Sequence, residues 1–248
     1  MPTLKEIHAY LEELAPPALA EDWDNVGLLV DTGAEVTSAL LALDITGPVL
    51  DEAAACDCSL VISHHPVIFH PLRTLTAADV PFRMARMGVS GICMHTNMDA
   101  AVGGVNDVLA DRLGLREVTA FGGLGRVGSL PSPLSLPDLA ALCAERLDAR
   151  VKYADPGVTV ARLAVVGGAG GDLLAAAKAA GADALLTGEA HHHEALEALR
   201  TGTGLLAAGH FATEFPLMPV LGDKLKRRFP DLRVLVSKRC RDPFTYLN

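Results

Sequence analysis

Residues 59–66 read SLVISHHP. A short apolar run with β-branched Val61 and Ile62 at its centre reads as a strand buried on both faces, the pattern of a parallel sheet. His64 and His65 then stand at the strand's carboxyl end, and Pro66 favours an extended or turn conformation at His65. Two adjacent imidazoles there are either metal ligands or polar residues that close a strand. Successive side chains of an extended strand point to opposite faces, so the pair serves ions only from a turn, where the two rings can diverge.

Outward from this run the same rhythm continues. VGLLVD (26–31) and ALLALDIT (39–46) are strand-like, and PVLDEAAAC is a helix that leads into residue 59. A helix near DVPFRMARM precedes SGICMHTN (90–97), and GGVNDVLADRLG (103–114) is a helix ending at Gly114. The second half alternates similarly, with strands at ARLAVVGG (161–168), ADALLTGE (182–189), GLLAAGHF (204–211) and RVLVSKRC (233–240). Strand–helix–strand alternation predicts an α/β fold of two similar lobes with mixed sheets around a metal-binding cleft. Residues 122–137, dense in Gly, Pro and Ser, are expected to connect lobes over 1–121 and 138–248, though their first part, GRVGSL, can also pair as a strand, and part of the C-terminal end can belong to the first lobe.

The halves look like a duplication. LALDIT aligns with LAVVGG, and SLVISHH with DALLTGE. His95 and Asp99 in ICMHTNMD have the spacing H-x-x-x-D, and His210 and Glu214 in LAAGHFATE have H-x-x-x-E. Each pair follows an apolar strand. Ligands of α/β sheets bind at carboxyl ends of strands, so His64, His65, His95, Asp99, Glu189, His210 and Glu214 are candidates for one cleft. Imidazole with carboxylate suits Zn, Fe, Mn, Co or Ni. The inventory exceeds the three or four ligands of one ion and suits two. Glu189 is a candidate to hold a ligand histidine from behind.

Other motifs carry less. In the run His191-His192-His193, His193 is favoured as one functional histidine, and His191 and His192 also fit a solvated helix start. The turn VVGGAGG (165–171) is open to two readings, a phosphate cradle at Gly167–Gly171 or a plain tight turn; it has no Lys after the glycines. Ser63 lacks a G-x-S-x-G context, and Cys93 sits inside an apolar strand. The five cysteines fit no zinc spacing and read as reduced, mostly buried thiols.

Composition bounds the rest. The 248 residues are half hydrophobic, yet no apolar run approaches the roughly 20 residues of a membrane span. The start, MPTLKEIHAYLEEL, is an amphipathic helix rather than a signal peptide, which predicts a cytoplasmic protein. A net charge of −9 argues against nucleic-acid coating and membrane-surface roles.

EDWDNVGLLV (21–30), SHHP (63–66), HTNMDAAVGGVND (95–107), VVGGAGG (165–171), TGE (187–189) and GHFATE (209–214) together resemble the NIF-three-like dinuclear-metal proteins, whose bacterial members carry the label GTP cyclohydrolase 1 type 2 homologue. The ordered set spans nearly the whole chain. The resemblance implies a two-lobed α/β fold, a toroidal homohexamer and two divalent ions per chain. It implies His64, His65, Asp99, His210 and Glu214 as ligands, with Glu214 bridging and His95 and His193 beside the metals as proton-transfer groups. The expected function is a metal-dependent hydrolase acting on a nucleotide or phosphorylated metabolite, with GTP ring opening as the named possibility and phosphoester hydrolysis as its competitor. The rival class is a non-enzymatic metal-binding protein or protein-interaction scaffold.

Overall fold

The computed structural model describes residues 1–247 and divides them into two compact units. The first runs from Met1 to Val102 and resumes at Met218; the second is Gly103–Leu217. The boundary anticipated at 122–137 therefore lies inside the second unit.

In chain order the first unit contains α1 (Leu4–Leu14), β1 (Gly27–Val30), β2 (Ser38–Ala42), α2 (Gly47–Ala55), β3 (Leu60–Ser63), α3 (Val80–Met87), β4 (Ser90–Cys93) and α4 (Thr96–Ala100). The second holds α5 (Val105–Arg112), β5 (Arg116–Phe121), β6 (Gly125–Ser135), α6 (Leu136–Leu147), β7 (Lys152–Ala154), β8 (Thr159–Val166), α7 (Leu174–Ala179), β9 (Ala184–Thr187), α8 (His192–Thr201), β10 (Gly204–Ala207) and α9 (His210–Glu214). Helix α10 (Leu217–Arg228) and strand β11 (Arg233–Val236) complete the first unit.

The first sheet has the order β1-β4-β3-β2-β11, parallel throughout except for β1 against β4. Every residue of β2, β3 and β4 is buried, which is why those strands read as unbroken apolar runs rather than as alternations. Helix α1 starts with a capping box, in which Thr3 and Glu6 satisfy each other's backbone amides, and buries Ile7 and Leu11.

The second sheet has the order β5-β6-β8-β9-β10-β7, with β8, β9 and β10 parallel. Successive residues of each strand feed opposite cores. Leu163, Val165, Leu186 and Leu206 pack with Leu136, Leu139 and Cys143. Ala164, Val166, Leu185 and Leu205 pack with Leu174 and Ala177 on the other face. Period-two alternation of apolar residues on both faces requires helices on both sides of the sheet.

Within residues 122–137, Gly125–Ser135 form strand β6 rather than a connector. Strand β6 pairs with β5 and β8, and its prolines Pro131 and Pro133 fall between Ser129 and Leu134, where the register with β8 shifts. A proline cannot donate to a ladder, so it is tolerated where the ladder is interrupted.

In both sheets three parallel strands end in residues that face a candidate site or pass beside it. Asp44, His64 and His95 follow β2, β3 and β4; Gly167, Glu189 and His210 follow β8, β9 and β10. No helix among the described residues is long and apolar enough to cross a membrane.

Candidate metal centre

In the first unit the sheet ladder continues past the ends of the strands and fixes the histidines. The amides of His64 and His65 donate to Ala42 and Leu43 carbonyls, and the Met94 amide donates to Ser63. The Ser63 hydroxyl donates back to the His65 carbonyl at 2.8 Å, closing the turn that lets the two imidazoles diverge. The rings of His64, His65 and His95 form a triangle with centroid separations of 5.1, 5.2 and 5.6 Å. One ligating nitrogen from each lies within 4.8 Å of the others. Helix α4 starts immediately after His95, and its first turn brings Asp99 Oδ1 to 3.6 Å from His64 Nε2.

Each imidazole is held at Nδ1. His64 donates from Nδ1 to the Met94 carbonyl at 2.8 Å, His65 to Asp44 Oδ1 at 2.7 Å, and His95 to Asp24 Oδ1 at 2.8 Å. A carbonyl or ionised carboxylate only accepts, so the proton sits on Nδ1 and Nε2 keeps its lone pair. Asp24 is fixed in turn by Thr96, whose amide and hydroxyl donate to Oδ2 at 3.0 and 2.5 Å. Burial pushes the Asp24 carboxyl up, but the bonds from His95 and Thr96 outweigh it and hold the group below its ordinary value. His95 moves down, chiefly through burial and then through repulsion by His64, against the opposing pull of Asp24. It is therefore a neutral base at neutral pH.

The second unit builds a comparable pair. His210 donates from Nδ1 to Glu189 Oε1 at 3.1 Å, and its Nε2 lies 3.0 Å from Glu214 Oε2, one turn along α9. Glu189 thus takes the supporting position expected of it. Gly168 has φ +62°, and a Cβ there would lie 2.2 Å from Glu214 Oε1 and 3.2 Å from His210 Nε2. A Cβ on Gly188 would meet the Gly168 carbonyl at 2.6 Å and His210 Cα at 2.9 Å. The glycines of VVGG and TGE are needed because backbone passes directly beside His210 and Glu214.

That packing also decides between the two readings of the glycine turn. The Gly167 amide donates to Asn106 Oδ1 at 2.8 Å, Gly168 to Thr213 Oγ1 at 3.1 Å, and Gly170 to Thr187 Oγ1 at 2.9 Å. Three amides a phosphate would need are engaged by the protein, which supports the plain turn.

The histidine run opens α8. His191, His192 and His193 are exposed, and the His191 and His193 rings stack with centroids 5.6 Å apart. His191 and His192 line a cleft of about 250 Å³ with Lys152, Tyr153 and Leu205, a solvated helix start as one reading of the sequence had it. All five cysteines are free thiols; Cys93 donates to the His64 carbonyl, and burial raises its pKa, so it is a packing group.

Asp24 and Asp44 escaped the sequence reading. Asp44 carried a signal, since it ends the apolar run LALD as His64 ends LVIS. Asp24 carried none, because its partner His95 is 71 residues away.

The donors fit a divalent transition ion. Imidazoles oriented through Nδ1, beside carboxylates, are the chemistry that Zn, Fe, Mn, Co or Ni accepts.

Comparison with known proteins gives the family. A Clostridium perfringens protein named GTP cyclohydrolase 1 type 2 homolog is 32% identical over 98% of this chain and 99% of its own length. A Streptomyces coelicolor protein of the same name is 37% identical, covering 99% of this chain and 94% of that protein. The crystal structure of a Staphylococcus aureus hypothetical protein superposes with a TM-score of 0.92 at 28% identity, covering 99% of both chains. With residues 2–243 also matching its family description, this chain belongs to the Duf34/NIF3 (NGG1p interacting factor 3) family.

Proposed function

We propose that the protein is a metal-dependent hydrolase that holds two divalent ions per chain, with His64, His65, Asp99, His210 and Glu214 as ligands, and acts on a nucleotide or phosphorylated metabolite. The observation that carries this reading is the clustering of imidazole and carboxylate donors, with each histidine oriented by an Nδ1 bond to a carboxylate or carbonyl. The names of the relatives add GTP ring opening as one candidate reaction; phosphoester hydrolysis is the other.

A bound divalent ion supplies an acidified water and a Lewis acid for the substrate oxygen. The chain's own residues handle protons and position. His95 Nε2 accepts a proton, because burial keeps the ring neutral and Asp24 at Nδ1 stabilises the imidazolium that forms. His193 is the expected second proton-transfer group, at the exposed start of α8. The engaged glycine amides leave phosphate recognition to the metals and to side chains. The family resemblance adds a homohexamer, which sedimentation of the purified protein tests.

Elemental analysis of untagged protein beside His65→Ala and Glu214→Ala tests the metal reading. About two ions per chain in the parent, reduced in both variants, supports it; an unchanged content near zero or one overturns it. Turnover of GTP and phosphoesters, with and without chelator, tests the hydrolase. His95→Asn separates catalysis from metal storage, since a catalytic His95 is required for turnover at full metal content.

A further inference from the structure

Trp23 and Phe69 are large aromatic residues with 58% and 40% of their surface in water. They lie beside the His64–His65–His95 cluster rather than scattered over the surface. Trp23 is 6.0 Å from the His95 ring, Phe69 is 6.4 Å from it, and the two are 5.8 Å apart, all between centroids. The interplanar angles of 75°, 73° and 50° are edge and tilted contacts, so the rings are not stacked on one another.

Both rings are held by the machinery that holds the histidines. Asp24, next to Trp23, has its side chain buried and accepts from His95 and Thr96. Asn25 Nδ2 donates at 2.6 Å to the Ile68 carbonyl, so the Trp23 segment is tied to the residue before Phe69. The Phe69 segment follows His65 within four residues. Exposed aromatic surface costs free energy in water, and these two rings gain little by mobility since their backbones are cross-linked. Rigid, exposed aromatic faces beside reactive groups are suited to stacking a flat ring of a ligand.

We propose that Trp23 and Phe69 form an aromatic clamp that binds a planar heteroaromatic ring of the substrate next to His95. This rests on the hydrolase reading and narrows its substrate to compounds carrying such a ring, leaving simple sugar phosphates outside it. Trp23 and Phe69 are binding residues; neither moves a proton.

Trp23 is the only tryptophan of the chain, so its fluorescence reports on the clamp directly. Guanosine, adenosine, cytidine and a pteridine are titrated into metal-loaded and metal-free protein, with ribose 5-phosphate as the control without a ring. At least one heteroaromatic probe is expected to quench Trp23 saturably, and ribose 5-phosphate is not. Phe69→Ala is expected to weaken that binding by about 5- to 100-fold at unchanged metal content. Calorimetry of Trp23→Ala should show a similar loss, with Trp23→Phe retaining part of the affinity. Absence of saturable quenching by every heteroaromatic probe, or equal binding by ribose 5-phosphate, overturns the clamp. The metal reading fails separately, through unchanged ion content in His65→Ala, whereas the clamp is read with ions present and absent.

Discussion

The carboxylate behind a histidine decides what that histidine can do. The Asp44 carboxylate accepts from His65 Nδ1 at 2.7 Å, and its own side chain is 45% exposed. Removing it leaves the fold's core intact and frees the His65 ring to turn or change tautomer. Asp44→Ala is expected to weaken metal binding by about 10- to 100-fold. The melting temperature of the metal-free protein should stay unchanged, since exposed positions contribute little to stability. Competition with a fluorescent chelator measures the affinity, and parent-like binding would mean that the ring needs no such support. Legibility follows the same chemistry. His64, His65, His95, Asp99, His210 and Glu214 stood out because each sits at or within a turn of an apolar strand's end. Asp24 did not, because a long-range partner leaves no mark on the local pattern.

Among elements, the least legible is β6, which the sequence offers as a connector whose first part, GRVGSL, can also pair as a strand. Its Gly, Pro and Ser content signals a loop, and local composition cannot reveal that β5 and β8 take up its backbone bonds on both sides. What anchors it is Arg126, which is 4% exposed. Arg126 bonds Asp107 Oδ1 through Nε at 2.6 Å and donates through Nη1 to the carbonyls of Leu124 and Gly125. The guanidinium thus joins α5 to the start of β6 and satisfies the turn between β5 and β6. Arg126→Met removes the cation and leaves Asp107 and two carbonyls short of a donor. The expected loss is about 3 kcal/mol, the low end for breaking a buried pair, because Asp107 is partly solvated. Trp23 lies in the other unit and is a poor probe of this loss. Hydrogen exchange at β6 amides is the direct measurement, and protection within 1 kcal/mol of the parent would contradict the anchor role.

Across the whole molecule, the first unit is assembled from both ends of the chain. Strand β11 pairs in parallel with β2, matching Arg233–Val236 to Ser38–Leu41 across almost the full sequence. The sequence leaves room for part of the C-terminal end to join the first lobe, but it cannot fix β2 as the partner of β11, because pairing register is a long-range property. The joint is locked just beyond the strand by Glu52 on α2. Its carboxylate accepts from the Ser237 hydroxyl and from the amides of Lys238 and Arg239, at 3.0 and 3.1 Å. Burial pushes the Glu52 carboxyl up, yet the three bonds and the Arg239 charge outweigh it and hold its pKa below the ordinary glutamate value. The unfolded chain therefore binds the proton more readily than the native one. The stabilisation is complete above about pH 4.5, the ordinary glutamate value, and is lost as pH falls through the depressed native pKa. Glu52→Gln keeps the shape but weakens the acceptor, and is expected to cost about 1–2 kcal/mol at pH 7. Urea unfolding followed by Trp23 fluorescence reports on this unit. The gap between parent and variant should close as the pH is lowered from 6 toward 3. A gap that stayed constant over that range would show that the Glu52 charge does not hold the C-terminal strand in place.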